Sequence, residues 1–239
     1  MSQVAAIAWR EFRSFFRVPM GWVIIALYLL LAGYIFAFGV LTPGSPATLR
    51  DFFIVSQIFV LILTPAISMR LISEELRSGT FEALMTSPVT DAGIVLGKYL
   101  GGVLFLAAML LPTLTYAAVL FAVSDPAPDP GPMGAGYLSL LLVGMLYLAV
   151  GTFASALTAN QTLAFVGTFL FLFLMQLLTS GTLSLPPTIA GLLSFVALRP
   201  RIADFAKGVI DTSNIVFFLT AAAWFLVLAY VAVQVRRWK

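Results

Sequence analysis

Six long apolar stretches constrain this chain more than any other feature of its sequence. Lys98, at the edge of the third stretch, is the one charged residue inside them. A helix that crosses about 30 Å of hydrocarbon needs about 20 apolar residues. Only 10% of all residues are charged, against about 25% in soluble domains. The sequence therefore predicts an all-α integral membrane protein, with six spanning helices at 22–41, 52–69, 97–123, 136–157, 161–183 and 214–235 in a single transmembrane domain over 1–239.

Residues 1–18, ahead of the first span, have the pattern of an amphipathic helix. Its cations share one stripe: Arg10, Arg13 and Arg17. Its apolar residues share another: Ala5, Ala8, Phe12 and Phe16, with Trp9 at the edge. We expect an interfacial helix in the headgroup layer, with its cations toward anionic lipid and its aromatic rings toward the acyl chains. A signal peptide is excluded because the apolar run that follows is too long and further spans come after it.

The basic residues predict how the chain is oriented. Six spans put both termini on one side, with nine basic residues: Arg10, Arg13, Arg17, Arg70, Arg77, Lys98, Arg236, Arg237 and Lys239. The opposite side has four, Arg50, Arg199, Arg201 and Lys207. This asymmetry follows the positive-inside rule and predicts that both termini are cytoplasmic. Cations placed at chain ends and span ends are typical of membrane flanks, so nucleic acid is not an expected partner.

The longest connector, 184–213, is expected on the outer side and partly structured. After Pro186 and Pro187 the apolar run Ile189–Leu198 is too short to cross, which favours a re-entrant or interfacial segment. Four charged residues then alternate in sign at helical spacing, Arg201, Asp204, Lys207 and Asp211. We interpret them as a surface salt-bridge ladder rather than as a catalytic carboxylate pair.

The segment 70–91, between the second and third spans, is the most polar cytoplasmic stretch. A break at Ser78–Gly79, a short helix from Thr80 to Met85 and an end at Ser87–Pro88 are expected. Thr90 suits the N-cap of the next helix. A solvated loop is the alternative, but a connector needs only about 2–8 residues. The pattern favours a cytoplasmic coupling helix that inserts into a partner.

Three patterns that could suggest a functional site are interpreted as structural. Gly93, Gly97 and Gly101 form one helix face that favours close helix packing. The stretch Gly93–Tyr99 is not a phosphate-binding loop, which needs four residues between its glycines and Ser or Thr after its Lys. Gln57 and Gln176, inside their spans, are expected to hydrogen-bond to neighbouring helices rather than to a substrate.

The residues that are absent exclude several classes of function. With neither Cys nor His in the chain, disulfides, the usual zinc and haem sites and a serine–histidine–aspartate triad cannot form. No catalytic, cofactor-binding or metal-binding residue is predicted, so the chain is not expected to be an enzyme. A proton- or ion-coupled transporter would carry ionisable groups within its spans. A permease driven by an external ATPase fits better, and a membrane scaffold that anchors other proteins is the alternative.

The stretch Glu-Glu-Leu-Arg-Ser-Gly-Thr-Phe-Glu-Ala-Leu-Met-Thr-Ser-Pro-Val at 74–89, followed by Gly97-Lys98, resembles the hallmark of the ABC-2-type permeases. These are the membrane subunits of one class of ATP-driven transporter. The stretch 205–218, Phe-Ala-Lys-Gly-Val-Ile-Asp-Thr-Ser-Asn-Ile-Val-Phe-Phe, is similar to the last outer segment of the gliding-motility and nitrous-oxide-reductase-maturation permeases within that family. Span order and spacing extend the resemblance over the whole chain.

The resemblance implies a permease subunit, an exporter, in the inner membrane of a prokaryote. Its expected partners are a separate ATP-binding subunit, a second permease subunit and membrane lipids. ATP and Mg²⁺ would be bound by the partner, and this chain needs no cofactor. The substrate is left open. The residues expected to dock on the ATP-binding subunit are Glu74, Glu75, Arg77, Gly79, Thr80, Phe81, Glu82, Leu84, Met85 and Pro88.

Overall fold

The computed structural model describes residues 3–42, 44, 46–80, 90–179 and 195–237. Within these ranges the chain is helical and has no β-strand. The helices are α1 (Gln3–Arg17), α2 (Pro19–Ile35), α3 (Arg50–Ser68), α4 (Ser73–Ser78), α5 (Asp91–Leu110), α6 (Leu114–Val123), α7 (Pro130–Leu157), α8 (Gln161–Thr179), α9 (Leu198–Ala206) and α10 (Thr212–Arg237). A π-helical turn, Phe36–Val40, follows α2, and the 3₁₀ turn Leu111–Thr113 joins α5 to α6.

Six helical segments are long and apolar enough to cross a membrane, which confirms the predicted architecture. In chain order, and numbered below as the first to the sixth span, they are Pro19–Val40, Arg50–Ser78, Asp91–Val123, Pro130–Leu157, Gln161–Thr179 and Thr212–Arg236. The third and fourth begin about two turns earlier than expected because local caps start them. Thr90 Oγ1 accepts a hydrogen bond from Gly93 N at 3.2 Å, as predicted. Asp129 caps the start of α7, where its Oδ1 accepts a hydrogen bond from Gly131 N at 2.9 Å.

The fourth span is the central helix of the bundle. It packs against the second, third, fifth and sixth spans and against α9. In an apolar 18-residue stretch of this span, 72% is buried inside the bundle, whereas the corresponding share is 17% in the fifth and in the sixth span. Glycines allow this approach: a Cβ at Gly144 would collide with Leu106, and one at Gly151 with Ser68. Small residues at such contacts let membrane helices pack closely without a hydrophobic driving force.

A polar contact inside the bundle joins three spans. Gln57 Nε2 of the second span lies 3.2 Å from the Tyr147 hydroxyl of the fourth and 3.3 Å from Gln176 Oε1 of the fifth. The prediction that both glutamines bond to neighbouring helices is confirmed. In hydrocarbon these amides have no water to bond to, so the contact fixes how the three helices face one another.

The bundle has two ends, which we call basal and distal. The basal end holds α1, α4, the link 158–160 and the end of α10, where Arg236 donates to the carbonyls of Ala156 and Leu157 at 3.1 and 2.6 Å. Among the described residues, the distal end holds the connections at 42, 44 and 46–49, at 124–129 and at 207–211. The re-entrant segment was predicted within 184–213, and its residues 184–194 lie outside the described part of the chain.

The predicted salt-bridge ladder at the distal end is wrong. Helix α9 ends at Ala206, and Gly208 has a φ of +86°, so Asp211 leaves the helical spacing. Within the described ranges, Arg201, Asp204, Lys207 and Asp211 form no ion pair with one another. The Arg201 guanidinium instead donates to Asn214 Oδ1 at 2.7 Å and lies over the Phe217 ring at 4.0 Å.

Candidate functional site

The segment that follows α3 is fixed to the fourth span by one side chain. Helix α3 ends at Ser68, and a turn leads into α4. The backbone amides of Ile72 and Ser73 both donate to Ser155 Oγ, at 3.0 and 2.9 Å, and Ser155 Oγ lies 3.1 Å from the Met69 carbonyl. Ser155 thus satisfies backbone groups that the end of α3 and the start of α4 leave free. The position of α4 is therefore tied to the central helix.

Helix α4 is short and ends at a glycine in the left-handed conformation. Gly79 has φ 72° and ψ 0°, the conformation that glycine adopts most readily at a helix C-terminus. The predicted break at Ser78–Gly79 is confirmed. A Cβ at Gly79 would meet nothing within 4 Å, so backbone conformation, and not space, requires glycine there.

A cluster of buried charges joins α4 to two other helices. Lys98 Nζ of α5 lies 2.9 Å from Glu75 Oε1 of α4 and 3.3 Å from Glu11 Oε2 of α1. Only 2% of the Lys98 side chain is exposed, with 10% of Glu11 and 19% of Glu75. Arg10 of α1 adds a more exposed contact, 3.4 Å from Glu75 Oε1. We call Lys98, Glu11, Glu75 and Arg10 the Lys98 junction; its two cations balance its two carboxylates.

Arg70 makes a second connection between the α3–α4 turn and α1. Its Nε lies 3.0 Å from Glu74 Oε2, one helical turn further on. Its guanidinium also lies over the Phe15 ring of α1, 5.3 Å from the ring centroid. The cation–π contact therefore holds the α3–α4 turn against α1, while the ion pair lies within the α3–α4 segment, with the Glu74 side chain 49% exposed.

The glycine face of the third span receives α1. A Cβ at Gly97 would come within 2.7 Å of Ile7, and one at Gly101 within 2.6 Å of Glu11 Cβ. Further along, Phe15 of α1 stacks on Phe105 of α5, with ring centroids 4.5 Å apart. The sequence indicated close packing of membrane helices at this face, but the partner is the amphipathic helix. Gly93, the third residue of the pattern, is buried.

The buried side of α1 differs from the apolar stripe expected from the sequence. Its buried residues are Ile7, Ala8, Glu11 and Phe15. Phe12 and Phe16 are only partly buried. The helix therefore does not present all its apolar residues to lipid, because one side of it packs along α5. Glu11 was overlooked as a functional candidate, although a cation inside a membrane span needs a counter-ion.

The structure places only part of the predicted docking set. Glu74 and Glu75 face the contacts above, and Arg77, Gly79 and Thr80 are exposed at the end of α4. The other five, Phe81, Glu82, Leu84, Met85 and Pro88, lie outside the described residues. In the described part of the chain no group of three His, Cys, Asp or Glu side chains is arranged to hold a metal ion. The contacts of the candidate site hold α1 and α4 against the third and fourth spans.

Six helices long and apolar enough to cross a membrane define a multi-pass membrane protein. Residues 45–198 match the family model described as ABC-2 family transporter protein, so the chain belongs to this family of membrane permeases of ABC transporters. The match includes the second to the fifth span together with α4. Membership implies in general an ATP-binding partner subunit. No curated protein matches the sequence.

Proposed function

We propose that this chain forms the translocation pathway of an ATP-driven exporter, and that 74–88 docks on a separate ATP-binding subunit. The observation that carries the proposal is the attachment of α4. Ser155, the Lys98 junction and Arg70 hold it against the fourth span, the third span and α1. A helix fixed in this way passes a displacement to the spans, whereas a loose connector absorbs it.

The contacts of α4 support the following order of events. Closure of the ATP-binding subunits displaces 74–88. The turn after α3 carries the movement into α3 directly, and the Ser155 hydrogen bonds carry it to the fourth span. Lys98 carries it to the third. ATP and Mg²⁺ belong to the partner, and this chain contributes the motion of its helices.

A second permease subunit completes the pathway in this proposal. Large side chains on the fifth and sixth spans, such as Leu163, Phe173 and Trp224, are 61, 47 and 64% exposed. Such faces suit lipid or another permease subunit. The likeness of 205–218 to gliding-motility and nitrous-oxide-reductase-maturation permeases extends beyond the family match at 45–198, and we propose that subgroup on the likeness alone.

The proposed orientation puts the basal end in the cytoplasm of a prokaryote, with 42–51, 124–135 and 184–213 outside. The excess of basic residues at the basal end supports it. Single cysteines in place of Ser2 and Ser124 test it in a chain that has none. A membrane-impermeant reagent added to intact cells is expected to label the second only. Labelling of both from the same side would contradict the orientation.

Docking is tested by co-expression with the ATP-binding subunit. Glu82→Arg reverses a charge in the proposed contact and should lower the amount of ATPase that co-purifies. Asp125→Arg makes the same reversal in the exposed connection at the distal end and should leave recovery unchanged. If the Glu82→Arg variant recovered the full amount of ATP-binding subunit with normal ATP hydrolysis, 74–88 would be only a connector. If the complex formed but no permease variant stimulated its ATP hydrolysis, the result would favour the alternative, a membrane scaffold that anchors other proteins.

A further inference from the structure

The strongest unexplained feature of the protein is a buried lysine between two carboxylates from different helices. Lys98 Nζ lies 3.3 Å from Glu11 Oε2 and 2.9 Å from Glu75 Oε1, so these oxygens are no more than about 6 Å apart. One belongs to α1 and the other to α4. Like charges at this separation repel, so without the ammonium only the more exposed Arg10, 3.4 Å from Glu75 Oε1, would still join the two helices.

The lysine does not serve as a lipid anchor. A lysine that snorkels buries its aliphatic stem and keeps its ammonium in water or among headgroups. Here the Lys98 side chain is 2% exposed and its ammonium faces Glu11 and Glu75. The close approach of α1 at Gly97 and Gly101 closes the space around it. Its position is therefore determined by the two carboxylates.

Ion pairing at this depth is poor evidence for a gain in stability. Replacing a buried ion pair by apolar residues of similar size is often neutral or stabilising, because the charges must first be desolvated. A buried charge cluster is better explained by what it specifies. In the Lys98 junction it specifies that α1, α4 and α5 occupy one relative position.

We propose that Lys98 is a positioning residue that fastens α1 to α4, so that the amphipathic helix moves with the coupling segment as one body. The motion itself rests on the proposed function, but the attachment does not. The movement that the ATP-binding subunit gives to α4 then reaches α1 directly. The amphipathic helix becomes part of the transmission instead of a passive anchor in the headgroup layer.

Distances between spin labels test the attachment. Cysteines replace Ala6 on α1 and Ser78 on α4, both exposed, in a chain without cysteine. A second pair joins Ala6 to Asp125, an exposed residue in the connection at the distal end. Pulsed electron paramagnetic resonance is recorded on the co-purified complex, without nucleotide and after trapping with ATP and vanadate. On trapping, the Ala6–Asp125 distance should shift while the Ala6–Ser78 distance stays constant.

Variants at the junction separate positioning from simple support of the fold. Lys98→Met leaves Glu11 buried without a counter-ion, so the double variant with Glu11→Leu is used to retain folding. The double variant is expected to fold yet to broaden the Ala6–Ser78 distribution. Lys98→Arg keeps the charge and should keep the distribution narrow. Arg17→Met removes an exposed cation of α1 outside the junction and should also leave it narrow.

The outcomes distinguish this proposal from the proposed function. An Ala6–Ser78 distribution that stays narrow in the double variant would overturn the attachment. So would a wild-type Ala6–Ser78 distance that shifts on trapping as much as the Ala6–Asp125 distance. An Ala6–Asp125 distance that does not shift would contradict the movement of α1, which rests on the proposed function. Failure of the wild-type chain to retain any ATP-binding subunit would instead contradict the proposed function. The nucleotide-free distances of the permease alone would then still decide whether Lys98 joins α1 to α4.

Discussion

The two ends of the bundle use charge in opposite ways. At the basal end Lys98 and Arg70 are paired with carboxylates and largely buried. At the distal end Arg201 is bound by an amide, a backbone carbonyl and an aromatic ring. All ion pairs in the described ranges lie at the basal end. The two ion pairs of Lys98 join α1, α4 and α5, so the comparison indicates that charge holds these basal helices in one relative position.

The largest effect is expected from removing the buried charge. Lys98→Met leaves Glu11 and Glu75 facing each other and should lower the free energy of unfolding by about 3–5 kcal/mol. Arg50→Met removes an exposed cation at the distal end and should change it by less than about 0.5 kcal/mol. Denaturant unfolding in detergent compares the two. If both variants changed the free energy of unfolding by the same small amount, the proposed difference in charge pairing between the two ends would be contradicted.

The next effect concerns the close approach of α1. Gly97→Leu places a large side chain where Ile7 lies, and we expect the free energy of unfolding to fall by about 1–3 kcal/mol. Gly167→Leu is the matched control, because this helical glycine is exposed and a Cβ there meets nothing within 4 Å. Thermal stability and yield after purification provide the measurement. If both variants behave like the wild type, α1 does not depend on the glycine face.

A smaller effect is expected between the two ends, at the polar contact of the spans. Gln57→Leu removes the hydrogen bonds to Tyr147 and Gln176. The free energy of unfolding should fall by about 0.6 kcal/mol for each bond lost. Tyr147→Phe removes one of the two partners and should cost less. A double-mutant cycle gives the coupling energy between Gln57 and Tyr147. A coupling of zero would show that the hydrogen bond does not stabilise the bundle.

Features set by neighbouring residues could be predicted from the sequence. The six spans follow from continuous apolar runs, the start of α5 from the Thr90 cap, and the end of α4 from Gly79. Each depends on residues only a few positions apart. The ladder failed for a local reason as well, because Gly208 ends the helix before Asp211 is reached.

The contacts that hold the candidate site together could not be predicted in this way. Glu11 and Lys98 are 87 positions apart, and Ile72 and Ser155 are 83 apart. Nothing in the sequence states which helix will cover the glycine face, since lipid, a spanning helix and α1 are all apolar. The one available signal was physical: a lysine within a span requires a counter-ion. Glu11 was the carboxylate nearest the first span, on the basal side.

Two glycines allow the most direct test of the claim that the basal end receives the motion of an ATP-binding subunit. Gly79 and Gly44 have φ values of 72° and 82°, and a Cβ at either meets nothing within 4 Å, but they lie at opposite ends. Valine at either position strains the backbone, because its φ is positive. The measurement is the amount of co-purified ATP-binding subunit and its rate of ATP hydrolysis. We expect Gly79→Val to lower one or both while Gly44→Val matches the wild type. Equal behaviour of the two variants would contradict the account.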